Sequence, residues 1–262
     1  MRDRDSELRL ADVLVQTADT LTEDFDLERY LEWLADRCAE LVGARGVGVM
    51  YTGGEDAVRV IPCDRQRTAV RGLLEIQYHG GPCVESFGTG LPVPPTPICP
   101  DGAGARWPHF ARRADEQGVG ETYAVPIRRG GGTVLGVLNV FVATADAEGG
   151  PGGPEDGVPS ELGLRIAQTL ADAAATGLHN HRTHAAYRVL SEQLRTALDS
   201  RIHVEQAKGV LAERWHTGMD EAFEALRGYA RREQQVIDLV ATQVIRGKID
   251  EEKLRPGRSA PS

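Results

Sequence analysis

Cysteine is scarce and poorly spaced for chemistry. Cys38, Cys63, Cys83 and Cys99 form no C-x-x-C pair, which disfavours a zinc site or a dithiol redox motif. Aromatic residues make up only 5% of the 262. No apolar run reaches membrane-spanning length, and the opening "MRDRDSELRL" lacks the apolar core of a signal peptide, so the expectation is a cytoplasmic protein with no membrane partner. Positive charge is also in deficit, with a formal net charge of −9. Residues 1–187 hold 17 Lys/Arg against 27 Asp/Glu, and the remainder is close to neutral, so a nucleic-acid reader in the C-terminal part would have to use a local patch. "GGTVLG" and "GGPGG" lack the lysine and the strand-helix context of a phosphate-binding loop. No nucleophile, base and acid come together in the pattern, and no enzyme or cofactor is expected. His179, His181 and His184 lie at helical offsets of two and five, so only His181 and His184 are neighbours and no metal site is expected.

What is present is a clear succession of elements. "SELRLADVLVQTADTL" places Leu10, Leu14, Thr17 and Leu21 on one helical stripe, a candidate dimer contact over 1–25. Asp26 can cap a second helix that runs to Gly43. "GVGVMY" and "AVRVI" read as short strands about the turn "TGGED", and "DRQRTAVRGLLEIQYH" reads as a helix. A Gly/Pro-rich passage, Gly80 to Gly104, reads as a long loop before a short helix in "WPHFARRADEQG" and two further strands, "ETYAVPIRR" and "TVLGVLNVFVA". That order predicts an α+β domain over 26–147, an antiparallel sheet with flanking helices. After the break "DAEGGPGGPEDGVP", residues 148–189 read as a linker and a coiled-coil-like helix. Residues 190–250 read as three short helices, Arg201 to Trp215, Asp220 to Arg232 with Thr217 or Gly218 as cap, and Gln234 to Arg246, and 251–262 as a disordered tail.

In "RIHVEQAKGVLAERW" the residues Val204, Ala207 and Leu211 share a face, and Gly209 costs the helix about 1 kcal/mol relative to alanine. Such a cost is tolerated where another backbone approaches closely, so Ala207 and Gly209 predict tight helix packing. The small neighbours of Lys208 leave its ammonium accessible, with Arg201 two turns earlier on the same face. Arg201, Lys208, Arg214, Arg231 and Arg232 are the best cations for phosphate, and Gln206 and Tyr229 could hydrogen-bond or stack on an unpaired base. On charge alone, ordinary solvated helix faces account for the same residues better than RNA contacts do. Cys83, in a Gly-Pro loop, is either a small buried apolar side chain or a redox-active thiol.

Two resemblances add to this reading. Arg201, Val204, the run Gln206-Ala207-Lys208-Gly209-Val210-Leu211, then Glu221-Ala222-Phe223, Leu226-Arg227 and Ala230-Arg231 resemble the ANTAR family of small three-helix RNA-binding domains that act in transcription antitermination. Ala212, Gln234 and Leu239 stand where Met, Asn and Asp are usual. "GGPCVESFGTGLPV", "RWPHFARRADEQGV" and "VLGVLNVF" resemble a GAF sensor domain of the kind that actinobacterial proteins place before an ANTAR tail. The resemblance implies a ligand pocket lined by "GGPCVES" and by the strand "VLGVLNVF", with Gly81, Pro82, Cys83, Glu85 and Asn139 as its candidate residues.

Together these imply a signal-responsive regulator that binds stem-loop RNA in nascent transcripts and controls termination. Its expected partners are a second copy of the chain and a small molecule or signalling protein at the GAF-like domain. Two alternatives stand beside it. One is a GAF-type free methionine sulfoxide reductase using Cys63, Cys83 and Cys99, and the other is a protein-interaction module without RNA binding.

Overall fold

The computed structural model describes residues 2–21, 25–52, 58–63, 67–99, 106–129, 132–144 and 158–255. Most of the expected turn "TGGED", most of the break at 146–159 and the last seven residues of the expected tail lie outside them. The chain divides into two units, Met1–His184 and Ala185–Ser262.

In the first unit, helices α1 (Arg2–Ala18) and α2 (Leu27–Val42) precede strands β1 (Gly46–Thr52) and β2 (Val58–Pro62). Then come α3 (Arg67–Ile76), a 3-10 turn (Gln77–His79), α4 (Pro82–Thr89), β3 (Val93–Pro97), α5 (Pro108–Glu116), β4 (Val119–Arg128) and β5 (Val134–Ala143). The five strands form one antiparallel sheet in the order β2-β1-β5-β4-β3. Asp26 caps α2 as expected, its carboxylate accepting from the backbone N–H groups of Glu28 and Arg29, and Gly43 ends it in the left-handed conformation that glycine adopts without strain.

β1 and β5 are buried along most of their length, which explains why "GVGVMY" and "LGVLNVF" read as apolar runs rather than as alternating patterns. On β1 the two faces differ. A β-carbon at Gly46 or Gly48 would run into Val70 or Leu74 of α3, so these glycines let α3 lie close to the sheet. The other face holds Tyr51, whose hydroxyl accepts from Arg182 of helix α6 (Ser160–Trp215), and Tyr123 of β4 stands against Gly163 of the same helix. Helices thus cover both sides of the sheet.

The Gly80 to Gly104 passage is not one long loop. Pro82 occupies the first turn of α4, where its missing N–H costs nothing, and Gly90 ends that helix in the left-handed region. β3 follows with three prolines in its "VPPTP", tolerated because it is an edge strand. The expectation for α1 also changes. Leu14 packs against the first core and Thr17 is fully buried, so this stripe is consumed largely within the unit, while Leu21 stays exposed. Thr20 Oγ1 donates to Gly177 O at 2.7 Å and Tyr30 Oη donates to Thr17 O at 2.8 Å, which docks the C-terminal end of α1 and the residues after it.

α6 is one helix of 56 residues, and no separate helix begins at Arg201. Between Gly177 and Gly209 there is no glycine or proline to stop it. The second unit adds α7 (Met219–Arg232), α8 (Ile237–Ile245) and α9 (Glu251–Leu254). Gly218 is the residue before α7, and Thr217 Oγ1 hydrogen-bonds Glu221. The chain expected to fray from 251 instead begins with α9, because Leu254 inserts into the second core. That core contains Ala207, Leu211, Ala222, Leu226, Ala230, Val240, Ala241 and Val244. Gln234 takes φ +54, a left-handed position at which asparagine is favoured among residues with a side chain.

Candidate functional site

The C-terminal end of α6 presents the predicted apolar face, with Ala207 and Leu211 buried and Val204 packed against them. Gly209 behaves differently from the expectation. A β-carbon there would meet nothing, so no backbone approaches it. The close-approach glycines of α6 are Gly163 and Gly177 in the first unit, and a β-carbon at the latter would come within 2.8 Å of the carbonyl oxygen of Thr17.

Lys208 is not the exposed residue that its small neighbours implied. Its side chain is only 14% exposed, its ammonium donates to both Glu205 oxygens at 3.0 Å, and it lies 5.4 Å from the centre of the Phe223 ring. Arg201, seven residues earlier, lies about 20° from it around the helix and is exposed. Arg214 is about 120° round from Lys208, and Gln206 about 160°, so α6 does not present all four on one edge. On α7, Arg232 lies over Tyr229 at 5.1 Å and donates to Lys253 O at 2.5 Å, while Arg231 faces outward beside Arg227. His203 Nδ1 donates to Asp238 Oδ1 at 2.8 Å and joins α6 to α8. Arg246 and Lys248, exposed just after α8, extend the set of surface cations. Their signal in the sequence was their place immediately after the last apolar turn.

The pocket residues of the first unit sort differently. Gly81, Pro82, Cys83 and Asn139 are buried, and Glu85 pairs with Arg106. Gln77 went unnoticed in the sequence. It is fully buried, donates from Nε2 to Leu73 O at 3.1 Å and accepts at Oε1 from Cys83 N at 2.8 Å, and so it caps the start of α4. Burial pushes the Cys83 thiol up, against a smaller lowering by Asn139 beside it, so the thiol stays protonated. Cys63 is buried and accepts from Val47 N at 3.3 Å, and burial pushes Cys38 up to about 12. Beside Cys83 lies a cavity of about 120 Å³, lined by Met50, Thr52, Val58, Tyr78, Val84, Phe87 and Val137 as well. Of the five predicted pocket residues only Cys83 lines it; Asn139 is buried elsewhere on β5 and accepts at Oδ1 from the Thr122 hydroxyl at 3.0 Å.

The histidines play separate parts. His181 Nδ1 lies 2.8 Å from Thr20 O and its ring 4.2 Å from that of Phe25, His179 contacts Arg129, and His184 is exposed. Among the described residues no group of three His, Cys, Asp or Glu could hold a metal ion, and no helix is long and apolar enough to cross a membrane.

No curated protein matches the sequence. Among solved structures, the chain is similar to the GAF domain of A. aeolicus nlh2 in an inactive state, at 15% identity, covering 69% of this chain and 99% of that one with a TM-score of 0.41. It is also similar to the bacteriophytochrome RpBphP3 of the photosynthetic bacterium R. palustris, at 12% identity, 86% and 46% coverage and a TM-score of 0.47. A third similarity is to the phytochrome photosensory core module of Stigmatella aurantiaca, at 12% identity, 95% and 45% coverage and a TM-score of 0.43. Residues 192–245, which hold the end of α6 with α7 and α8, match the family model of the ANTAR domain, and this chain carries an ANTAR domain in its C-terminal unit.

Proposed function

We propose that this chain is a signal-responsive regulator whose ANTAR domain binds stem-loop RNA in nascent transcripts and thereby controls transcription termination. The observation that carries the reading is the ANTAR match over residues 192–245. Arg201 and Arg231, exposed on α6 and α7, are the strongest phosphate contacts. Arg214, Arg232 and Lys208 contribute more weakly, Arg232 and Lys208 being held by Tyr229 and by Glu205. Gln206 and Tyr229 are the candidates for base contact.

The first unit acts as a GAF-type sensor in the cytoplasm, and its ligand is a small neutral molecule in the cavity beside Cys83. Among the described residues no charged side chain lines that cavity, which suits a neutral ligand. The protonated, buried Cys83 and the buried Cys63 speak against thiol-based reduction of methionine sulfoxide. The chain works as a homodimer, in keeping with the exposed Leu190, Leu194 and Leu198 of α6.

Gel shifts of the full chain with stem-loop RNA against an unstructured RNA of equal length test the reading. Equal binding to both, or to neither, would overturn it. A transcription assay on a template with an intrinsic terminator then measures read-through with and without the protein.

A further inference from the structure

Six arginines of the first unit, Arg37, Arg59, Arg67, Arg71, Arg106 and Arg113, each stand beside a glutamate. Arg129 and Arg182 have neutral partners instead. Arg129 Nη1 donates to His179 Nε2 at 2.5 Å, and Arg182 donates to the Tyr51 hydroxyl with its guanidinium 5.8 Å from the centre of that ring. An imidazole lone pair and a phenol are neutral acceptors, so neither offsets the guanidinium charge. The two arginines and His179 line one cleft of about 630 Å³ with Gly132, Thr133 and Leu135, and no carboxylate is among these residues. Residues 1–184 hold 17 Lys/Arg against 27 Asp/Glu, so a cleft with two guanidinium groups and no acid runs against the charge of its surroundings.

We propose that this cleft is an anion site that takes a phosphate group, free or as a phosphomonoester. A guanidinium offers five donors in a planar fork suited to phosphate oxygens, and each arginine here spends only part of that fork on its neutral neighbour. The Thr133 hydroxyl supplies a further donor at the rim. Arg129 follows β4 and Arg182 lies on α6, so an anion held by both ties the β4–β5 turn to the helix that runs on into the second unit. No nucleophile, base and acid set is among the lining residues, so the site suits a regulatory ligand rather than a substrate.

Thermal unfolding of the full chain tests this, with titrations of inorganic phosphate and of adenosine monophosphate, each against sodium chloride at matched ionic strength. The expected result is a saturable rise in Tm, about 3 °C at tenfold excess over Kd. The rise should disappear in Arg129→Gln and persist in Arg113→Gln, whose arginine is paired with Glu116. Because Arg129 is exposed, its variant should fold, and calorimetric titration of phosphate into it gives a second reading of lost binding. Equal effects of the two ligands support a site for the phosphate group alone, and a tighter effect of the monophosphate supports a nucleotide. A rise that chloride reproduces, no rise in the parent, or a rise that survives in Arg129→Gln overturns the proposal.

Discussion

A β-carbon added at Gly209 meets open space, whereas one added at Gly177 comes within 2.8 Å of a backbone oxygen and 2.9 Å of the Thr20 methyl. Both glycines sit in α6, so intrinsic helix propensity favours alanine equally at the two positions. Gly209→Ala should therefore raise stability by about 1 kcal/mol. Gly177→Ala should lower it by roughly 1–3 kcal/mol, the usual cost of overpacking. Denaturant unfolding of the two variants gives opposite signs of change, and a shared sign would show that the environment of one of them is misjudged. The surface cations divide in the same manner. Arg231→Ala should leave Tm unchanged and reduce the salt slope of stem-loop binding by about 0.7–0.9. Lys208→Ala should also destabilise the domain, by roughly 0.5–1.5 kcal/mol, because a mostly covered ammonium loses both Glu205 and the Phe223 ring.

At the scale of elements, α4 depends on a side chain that lies outside it. Gln77 accepts from Cys83 N at the first turn of α4 and is itself held by Leu73 O, while Gly81 leaves room for its stem. Gln77→Met keeps the volume and removes the acceptor, so a buried N–H is left without its partner. The expected cost is about 1–3 kcal/mol in the first unit, read by chemical denaturation. Native-state hydrogen exchange should show the loss at the amide of Cys83 before it appears on β1. The α7–α8 connection invites the reverse experiment. Gln234 holds a left-handed conformation with a side chain that disfavours it, and Gln234→Gly should raise stability by up to about 1 kcal/mol.

For the molecule as a whole, the decisive feature is a stretch of α6. Every residue from 184 to 199 is exposed, and Tyr187, Leu190, Leu194 and Leu198 are among them. Apolar residues at helical spacing with no cover among the described residues are the ordinary mark of a coiled-coil seam. The proposed homodimer should appear in light scattering as twice 28.4 kDa at micromolar concentration. Leu194→Asp with Leu198→Asp should raise the dissociation constant by more than about 100-fold, since each leucine buried at a seam contributes on the order of 1.5–3 kcal/mol. An undisturbed dimer in that double variant would place the contact elsewhere.

Much of this architecture was legible in the order of residues. The Asp26 cap, the Gly43 stop, the strands at "GVGVMY" and "VLGVLNVFVA" and the helical stripe of Val204, Ala207 and Leu211 are written in signals that act over a few neighbouring positions. Four strands were visible by that means, and β3 was not, because three prolines disguise an edge strand whose pairing is decided by β4. The sites depended on the tertiary structure for the same reason. Lys208 is covered by a phenylalanine fifteen residues away, Gly177 is crowded by Thr17 and Thr20 from the other end of the first unit, and Arg129 meets His179 across fifty positions of sequence. Local chemistry sets where helices and strands begin and end, but exposure, close approach and the meeting of charges belong to pairs of elements that only the folded chain brings together.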